Sequence, residues 1–538
     1  MKYSRFKDQG SGFKYLTLLA IAVAVVVATP IIFTFYNVLN IDVELWKRLY
    51  DTRLKMILTN TLRLLFSVGI LTALIGVSTA WIVCRYEFKG KRMWEWALIL
   101  PLAIPGYVLA YAYASIMAPG GVVQISWAKI FGATITMPSL YTFWGVSIVL
   151  SLVNYPYVYL LARASFLSQN VTYDEAARVL GVSKWKRVWS INIPMAYPGI
   201  FAGIALALME VMADFGTVAM LRYPTFTEAI YRQMTGRYDS AGAAAIASIL
   251  VILTFLLLNL ERHFRGRKKF EQTKGKFCRY IPKRLGLKST FITITLMLLI
   301  LCAAFFAPVT FLMKWSIETL FEGGLDSRFL RFTYNSLIVS AIGATAAVVL
   351  AIPIAYLHVR KPNLLNRAIY YLSTLGYSLP GPVIALGLLL TTSLLLPWVH
   401  GGITLLVIAY LVRFIPVTLQ SQDSSISMVS RSLEDVAKTL GSDIWERIRR
   451  ILLPLIKSGL LTGWVVVFVD CMKELPATLM LRPLAFDTLS VRVWMEVSES
   501  LWEMAALPAL MIIITGLIPI AFVINRISSG IENDVKIT

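Results

Sequence analysis

The sequence is short of charge. Asp, Glu, Lys and Arg make up 15% of its 538 residues, with three histidines and four cysteines. Cys84, Cys278, Cys302 and Cys471 are scattered, as are His263, His358 and His400. Neither a disulfide framework, nor a metal-ligand cluster, nor a nucleophile–histidine pair can be assembled from neighbouring positions. No G-x-x-x-x-G-K-[ST] phosphate loop is present, so the chain has no means of hydrolysing ATP itself. Acid is outnumbered, 30 Asp and Glu against 51 Lys and Arg, leaving a net charge of +21.

What fills the chain instead is apolar sequence, 57% hydrophobic residues at a mean hydropathy of +0.70. That places it with integral membrane proteins. Runs of spanning length recur at roughly 15–36, 57–83, 94–117, 141–163, 197–221, 241–260, 289–313, 334–357, 368–396, 401–420, 457–481 and 502–525. The expected fold class is an all-α polytopic membrane protein of twelve spans. The run after Lys14 is too long for a signal-peptide core and has no small-residue cleavage site after it, so it reads as a retained span. The basic excess follows topology: Glu261–Lys288 carries 11 Lys and Arg, and Arg85–Arg92 carries four. With both termini cytoplasmic, this is a positive-inside bias rather than a nucleic-acid surface.

Between two apolar spans lies a charged stretch, Tyr173–Gly199, YDEAARVLGVSKWKRVWSINIPMAYPG. Asp174 and Glu175 suit a first helical turn, Ala176, Ala177 and Leu180 keep helical spacing, and Gly181 breaks the run before a second amphipathic segment ending at Pro194. The pattern returns 260 residues later in Leu433–Gly459. There Ala177, Leu180, Gly181, Trp185, Arg187, Pro194 and Gly199 meet Ala437, Leu440, Gly441, Trp445, Arg447, Pro454 and Gly459. The chain is an internal duplication, read as a first half 1–260, a basic cytoplasmic linker 261–288 and a second half 289–538. Earlier in each half the offset is 275: Asn60-Thr61-Leu62 meets Asn335-Ser336-Leu337, and Pro105-Gly106 meets Pro380-Gly381. Each Pro-Gly pair interrupts helical hydrogen bonding inside the third span of its half. The extra residues of the first half belong in Pro119–Pro138, expected as an outer loop or short surface helix.

At these loops the sequence resembles the type I permeases of bacterial ABC importers, whose cytoplasmic loop reads Glu-Ala-Ala, three residues, Gly, and a later Pro. Glu175-Ala176-Ala177 with Gly181 matches; the second copy has Asp435 for the Glu and Val436 for the first Ala. The resemblance implies that Asp174, Glu175, Ala176, Ala177 and Gly181, with Glu434, Asp435, Ala437 and Gly441, form coupling helices that dock on ATP-hydrolysing subunits. Two loops imply two ATPase copies, which would bind the ATP. An inward route implies a periplasmic or surface-anchored binding protein, and the location would be the bacterial inner membrane. No cofactor is expected in this chain, and no catalytic role.

Past each loop, the fifth span of the half carries two acids four residues apart, Glu210 and Asp214, then Asp470 and Glu474. That spacing puts each pair on one face of a continuing helix. Glu210 falls roughly 20 Å from the inner helix end. A carboxylate at that depth costs about 3 kcal/mol unless it faces water or a partner. The acids either line a translocation pathway or pair with Lys473, Arg222, Arg482 or Arg413. Ala213-Asp214-Phe215-Gly216-Thr217, Pro224-Thr225-Phe226-Thr227 and Ile230-Tyr231-Arg232 are similar to the fused ferric-iron permeases of bacteria. So are Leu379-Pro380-Gly381-Pro382-Val383, Met472-Lys473-Glu474-Leu475-Pro476-Ala477-Thr478, Leu481-Arg482-Pro483, Phe486-Asp487-Thr488-Leu489 and Val491-Arg492-Val493-Trp494. This narrower resemblance implies ferric iron, a hard cation suited to oxygen ligands. Thiamine or a polyamine would suit the same acids. A secondary transporter also uses repeats and buried acids but has no use for paired docking loops. An intramembrane enzyme finds no recurring site.

The topology is open to direct measurement. A cysteine at Glu271 should react with an impermeant thiol reagent only from the cytoplasm, and one at Gly120 only from outside; the reverse labelling would overturn the twelve-span scheme.

Overall fold

The computed structural model describes residues 2–39, 41–118, 121–131, 138–266, 280, 282–322 and 327–535. Gly120 and Glu271, most of the linker and part of Pro119–Pro138 lie outside them. Val122–Phe131, within that stretch, is a short helix. Among the described residues the chain is almost wholly helical, and strand is confined to a two-residue parallel pairing of Tyr86–Glu87 with Lys283–Arg284. Nine described helices are long and apolar enough to cross a membrane, among them Phe13–Leu39, Val43–Arg85, Phe143–Leu167, Lys184–Ala213 and Ile444–Lys473. Two sharply bent helix pairs reach the same length and hydropathy only together, Lys91–Ala103 with Gly106–Ile116 at 88° and Leu364–Ser378 with Gly381–Leu395 at 115°, each a broken span or a re-entrant loop. The last expected interval is met by the shorter apolar stretch Ala506–Ala521.

The bends fall where Pro105 and Pro380 stand. Ile104 and Leu379 are extended, with ψ of 119° and 128°, as a residue before proline prefers. The expected interruption of the third span is therefore a bend near a right angle, larger than a kink.

The fifth span of each half begins in the charged loop that precedes it. Lys184–Arg187 runs through a π-helical turn, Val188–Asn192, into Ile193–Ala213; in the second half Ile444–Arg447 and Ile448–Leu452 lead into Leu453–Lys473. Pro194 and Pro454 explain the wide turn. Neither has an N–H for the carbonyl four residues back, and the ladder re-forms through i→i+5 bonds, Ile193 donating to Val188 and Leu453 to Ile448.

The fifth spans cross the fourth through paired glycines. Gly199 and Gly203 face Ser165 and Val158, and Gly459 and Gly463 face Ser425 and Thr418. This is a small-xxx-small crossing, in which a missing side chain lets backbones approach where lipid supplies no hydrophobic drive. A Cβ on Gly203 would lie 2.7 Å from the Val158 Cα, while one on Gly463 would lie 3.5 Å from the Thr418 Cα. The first crossing is the tighter.

Packing divides the chain into two compact units that do not follow the sequence halves. One comprises Met1–Arg48, Ile230–Val251 and Asp326–Arg492; the other comprises Leu49–Ala229, Ile252–Leu325 and Val493–Thr538. In the first, the opening span lies against Gly381–Leu395, with the Pro30 backbone filling the space that Gly387 leaves. In the second, Tyr113 donates to the Ala303 carbonyl at 2.5 Å, and Tyr111, fully buried, stacks on Trp502 and donates to its carbonyl. The duplication divides the sequence; the burial of helix faces divides the molecule otherwise.

Gly203→Leu should overpack the first crossing by about 1–3 kcal/mol and lower membrane abundance several-fold, while Gly463→Ala should leave it near wild type. Quantitative immunoblotting of membranes would decide, and equal abundance of the two variants would refute the close crossing.

Candidate functional site

The first charged loop is built from the helix Thr172–Val179, with Asp174 and Glu175 in its first turn. Its end is closed by two bonds, Gly181 N–H to the Arg178 carbonyl and Val182 N–H to the Ala177 carbonyl, both 3.0 Å. The second loop repeats this in Arg431–Thr439, with Gly441 N–H to Lys438 and Ser442 N–H to Ala437, again 3.0 Å. Such a closure needs a left-handed residue, and Gly181 and Gly441 take φ of +76° and +88°. The glycines therefore stand where the sequence pattern placed them.

Ala177 and Ala437 are buried, whereas Glu175, Ala176 and Asp435 are exposed. Around the turns the surface is apolar and open. Leu180 and Leu440 are each 81% exposed, and Val179, Trp185 and Trp189 flank one as Leu433, Val436 and Trp445 flank the other. Exposed apolar area of this kind marks a surface that meets another protein or the membrane.

Asp174 and Glu434, equivalent in the repeat, turn inward instead. Asp174 accepts from Arg187 Nε and Asn192 Nδ2, each at 3.2 Å. Glu434 accepts from Arg360 Nε at 2.7 Å and from the Tyr356 hydroxyl at 2.9 Å. These two acids hold their loops to the body; Glu175 and Asp435 are left on the open face. Arg85, at the position equivalent to Arg360, bonds Gln169 Oε1 at 2.7 Å and Asn192 Oδ1 at 2.6 Å. Sequence reasoning passed over Arg85 and Arg360, although the offset of 275 relates them.

The second assembly lies where the third and fifth spans break. The fifth-span helices end at Ala213 and Lys473, and Asp214 and Glu474 are extended, with ψ near 120°. The expectation of each acid pair on one helix face is corrected here: Glu210 and Asp470 are on the helix, half-buried, and Asp214 and Glu474 are past its end. The reason is capping. Asp214 Oδ1 accepts from the backbone N–H of Thr217 at 2.9 Å and of Val218 at 3.3 Å, and its Oδ2 takes the Thr217 hydroxyl at 2.8 Å. Glu474 accepts from the N–H of Ala477 and Thr478 at 3.1 and 3.0 Å and from the Thr478 hydroxyl at 2.9 Å. Glutamate, one methylene longer, reaches the threonine one residue further on. Each cap satisfies the first amides of a short helix, Gly216–Met220 or Pro476–Leu481.

The two breaks meet at glycine. A Cβ on Gly106 would lie 2.9 Å from Asp214 Oδ2, and one on Gly381 would lie 2.8 Å from Glu474 Oε1 and 2.5 Å from Arg413 Nη1. Among the described residues the second half alone adds a cation, Arg413 Nη1 to Glu474 Oε1 at 3.2 Å, the carboxylate side chain being 1% exposed. The returning chain is pinned over each break. Thr227 donates to the Asp214 carbonyl at 2.6 Å and Ser490 to that of Glu474 at 2.8 Å, while Asn60 and Asn335 donate to the Pro224 and Asp487 carbonyls at 3.1 and 3.0 Å. Arg482 pairs with Asp487. Among the described residues no group of three His, Cys, Asp or Glu is placed to hold a metal ion.

Comparison with known proteins agrees with the duplication. Residues 72–269 and 343–533 each match the family described as binding-protein-dependent transport system inner membrane component. An Fe(3+)-transport system permease protein of Haemophilus influenzae is 28% identical over 513 residues, 94% of this chain and 97% of that protein. A putative ferric transport system permease protein of the same organism is 23% identical over 457 residues, 82% of this chain and 72% of the relative. The sulfate transport system permease protein of Escherichia coli is 27% identical over 203 residues, 37% of this chain and 72% of its own length.

Arg413→Gln should leave a buried carboxylate without its cation and cost about 3–5 kcal/mol, seen as a steep loss of folded protein on heating in detergent. The double variant Arg413→Met with Glu474→Gln should recover part of that loss. Additive losses would show that the pair is not coupled.

Proposed function

The chain belongs to the binding-protein-dependent transport system inner membrane components, and from that membership we propose that it carries both halves of a single pathway importing ferric iron. The observation that carries the coupling part is the pair of loops, each closed at a left-handed glycine and each crowned with exposed leucine and tryptophan. In this reading Asp174, Glu175, Ala176, Ala177 and Gly181 present one docking helix, and Glu434, Asp435, Ala437 and Gly441 the other. Two copies of an ATPase subunit bind there and supply the ATP; the permease itself carries no cofactor and catalyses no reaction. A periplasmic or surface-anchored binding protein delivers the substrate, and both termini lie in the cytoplasm. The halves 1–260 and 289–538 are the units of duplication, joined by the basic linker 261–288.

Iron is favoured by the Haemophilus influenzae relative, named for Fe(3+) transport and matched over nearly its whole length. Glu210 and Asp470, half-buried on the fifth-span helices, are the acids proposed to face the passing cation, since oxygen ligands suit a hard trivalent ion. Asp214 and Glu474 take the supporting part, fixing the breaks beside the route.

Reconstitution with the ATPase and binding protein tests both parts. Gly181→Val forces a β-branched residue into a left-handed conformation at about 1–2 kcal/mol and should abolish uptake while ATP hydrolysis persists. Gly441→Val should do less, because the second loop departs further from the Glu-Ala-Ala pattern. Glu210→Gln with Asp470→Asn should slow labelled-iron uptake more than tenfold at normal abundance. Uptake of thiamine or a polyamine in place of iron would overturn the substrate, and wild-type coupling in both glycine variants would overturn the docking.

A further inference from the structure

Each loop is held to its body through an aromatic residue from outside its own half of the sequence, Tyr280 of the linker for the first loop and Phe13 of the first half for the second. Arg85 is buried at the inner end of the second span, and its hydrogen bonds to Gln169 and Asn192 go to neutral amide oxygens. Asn192 passes the connection to Asp174 in the first turn of the loop. The guanidinium lies between two rings, 4.8 Å from the Trp81 centroid and 4.1 Å from that of Tyr280. Tyr280 precedes the seventh span, and its position is fixed by the pairing of Lys283–Arg284 with Tyr86–Glu87 and by the Leu285 N–H bonded to the Glu87 carbonyl at 3.0 Å. Ring faces are a favourable setting for a cation taken out of water.

The second half uses the same three positions with other chemistry. Trp81, Arg85 and Tyr86 correspond, at the offset of 275, to Tyr356, Arg360 and Lys361. Tyr356 and Arg360 both bond Glu434 of the second loop. The covering ring there is Phe13, from the segment that leads into the first span. It stacks on Tyr356 with centroids 6.4 Å apart and lies 3.3 Å from Lys361 Nζ.

We propose that the segments leading into the seventh and first spans brace the two coupling loops crosswise, Tyr280 holding the first loop through Arg85 and Phe13 holding the second through Tyr356. They are positioning residues. A stiff loop transmits displacement to the span it continues into, whereas a loose one absorbs it. The consequence for transport rests on the docking role proposed above; the brace itself does not.

Hydrogen exchange on the full-length purified protein separates the two. Tyr280→Ala should speed exchange of the 174–192 amides about tenfold and leave 434–452 within twofold, and Phe13→Ala should give the mirror image. Phe13→Tyr, which keeps the ring, should match wild type, and Tyr280→Phe, which keeps the ring and loses the hydroxyl bonded to Arg85, should stay within about threefold of it. If an alanine variant inserts poorly, Tyr280→Leu or Phe13→Leu, with bulk but no ring face, should show the same split. Equal loosening of both loops by either variant, or no loosening, refutes the brace. With the ATPase and binding protein present, uptake per ATP should fall in both alanine variants. Crosswise loosening with undiminished uptake per ATP would uphold the brace and sink the docking role.

Discussion

A backbone amide without water must find an acceptor in the chain, and the breaks in the fifth spans are governed by that requirement. Ending a helix inside an apolar region frees the N–H groups of the next one, each costing several kcal/mol if left alone. Asp214 and Glu474 answer it, each taking two amides and a threonine hydroxyl. Much else follows from these caps. Position 106 or 381 must be glycine for the third-span break to approach, and the returning segments are tied to the carbonyls of the same two residues. Even the strained residues recur: Arg222 and Ala485, in equivalent turns, take φ of 54° and 62°.

The two halves keep geometry and exchange chemistry. A cap built from Asp in one half uses Glu in the other; a buried arginine is met by amides and rings in one and by a carboxylate in the other. Arg163 with Glu95, at 2.7 Å, corresponds to Asp423 with the Tyr370 ring, which His358 joins by a 2.7 Å contact to Asp423 and by stacking 3.9 Å from Tyr370. What duplication preserved is the need for a connection at each place, and several kinds of bond satisfy it.

This explains what was legible in the sequence. The loops, their glycines and the Pro-Gly breaks are fixed by backbone conformation, which few residues satisfy, so identities survive in both copies. The spans were legible because apolar length is a one-dimensional property. Asp214 and Glu474 were misplaced because the spacing argument extends a helix through Ala213 and Lys473. The Thr that follows each acid three or four residues on, with Pro476 in the second copy, was the signal of a cap. The compact units could not be read at all, since which helix face meets which neighbour leaves no period in the sequence. Arg85 and Arg360 needed the structure for a related reason: their partners differ, and only the position repeats.

The mismatch between duplicated halves and compact units has a consequence for synthesis. The span that holds Pro30 is made well before its partner, because the space it fills beside Gly387 lies 357 residues further along the chain. At translation speeds of about 5–20 residues per second, the first helix waits roughly 20–70 s in the bilayer before its groove exists. Through that interval it is a lone apolar helix with a proline in it, dependent on lipid or the insertion machinery for company. Packing of the opening span therefore waits on the second half of the sequence, and truncation ahead of Gly381 would leave that span without its groove.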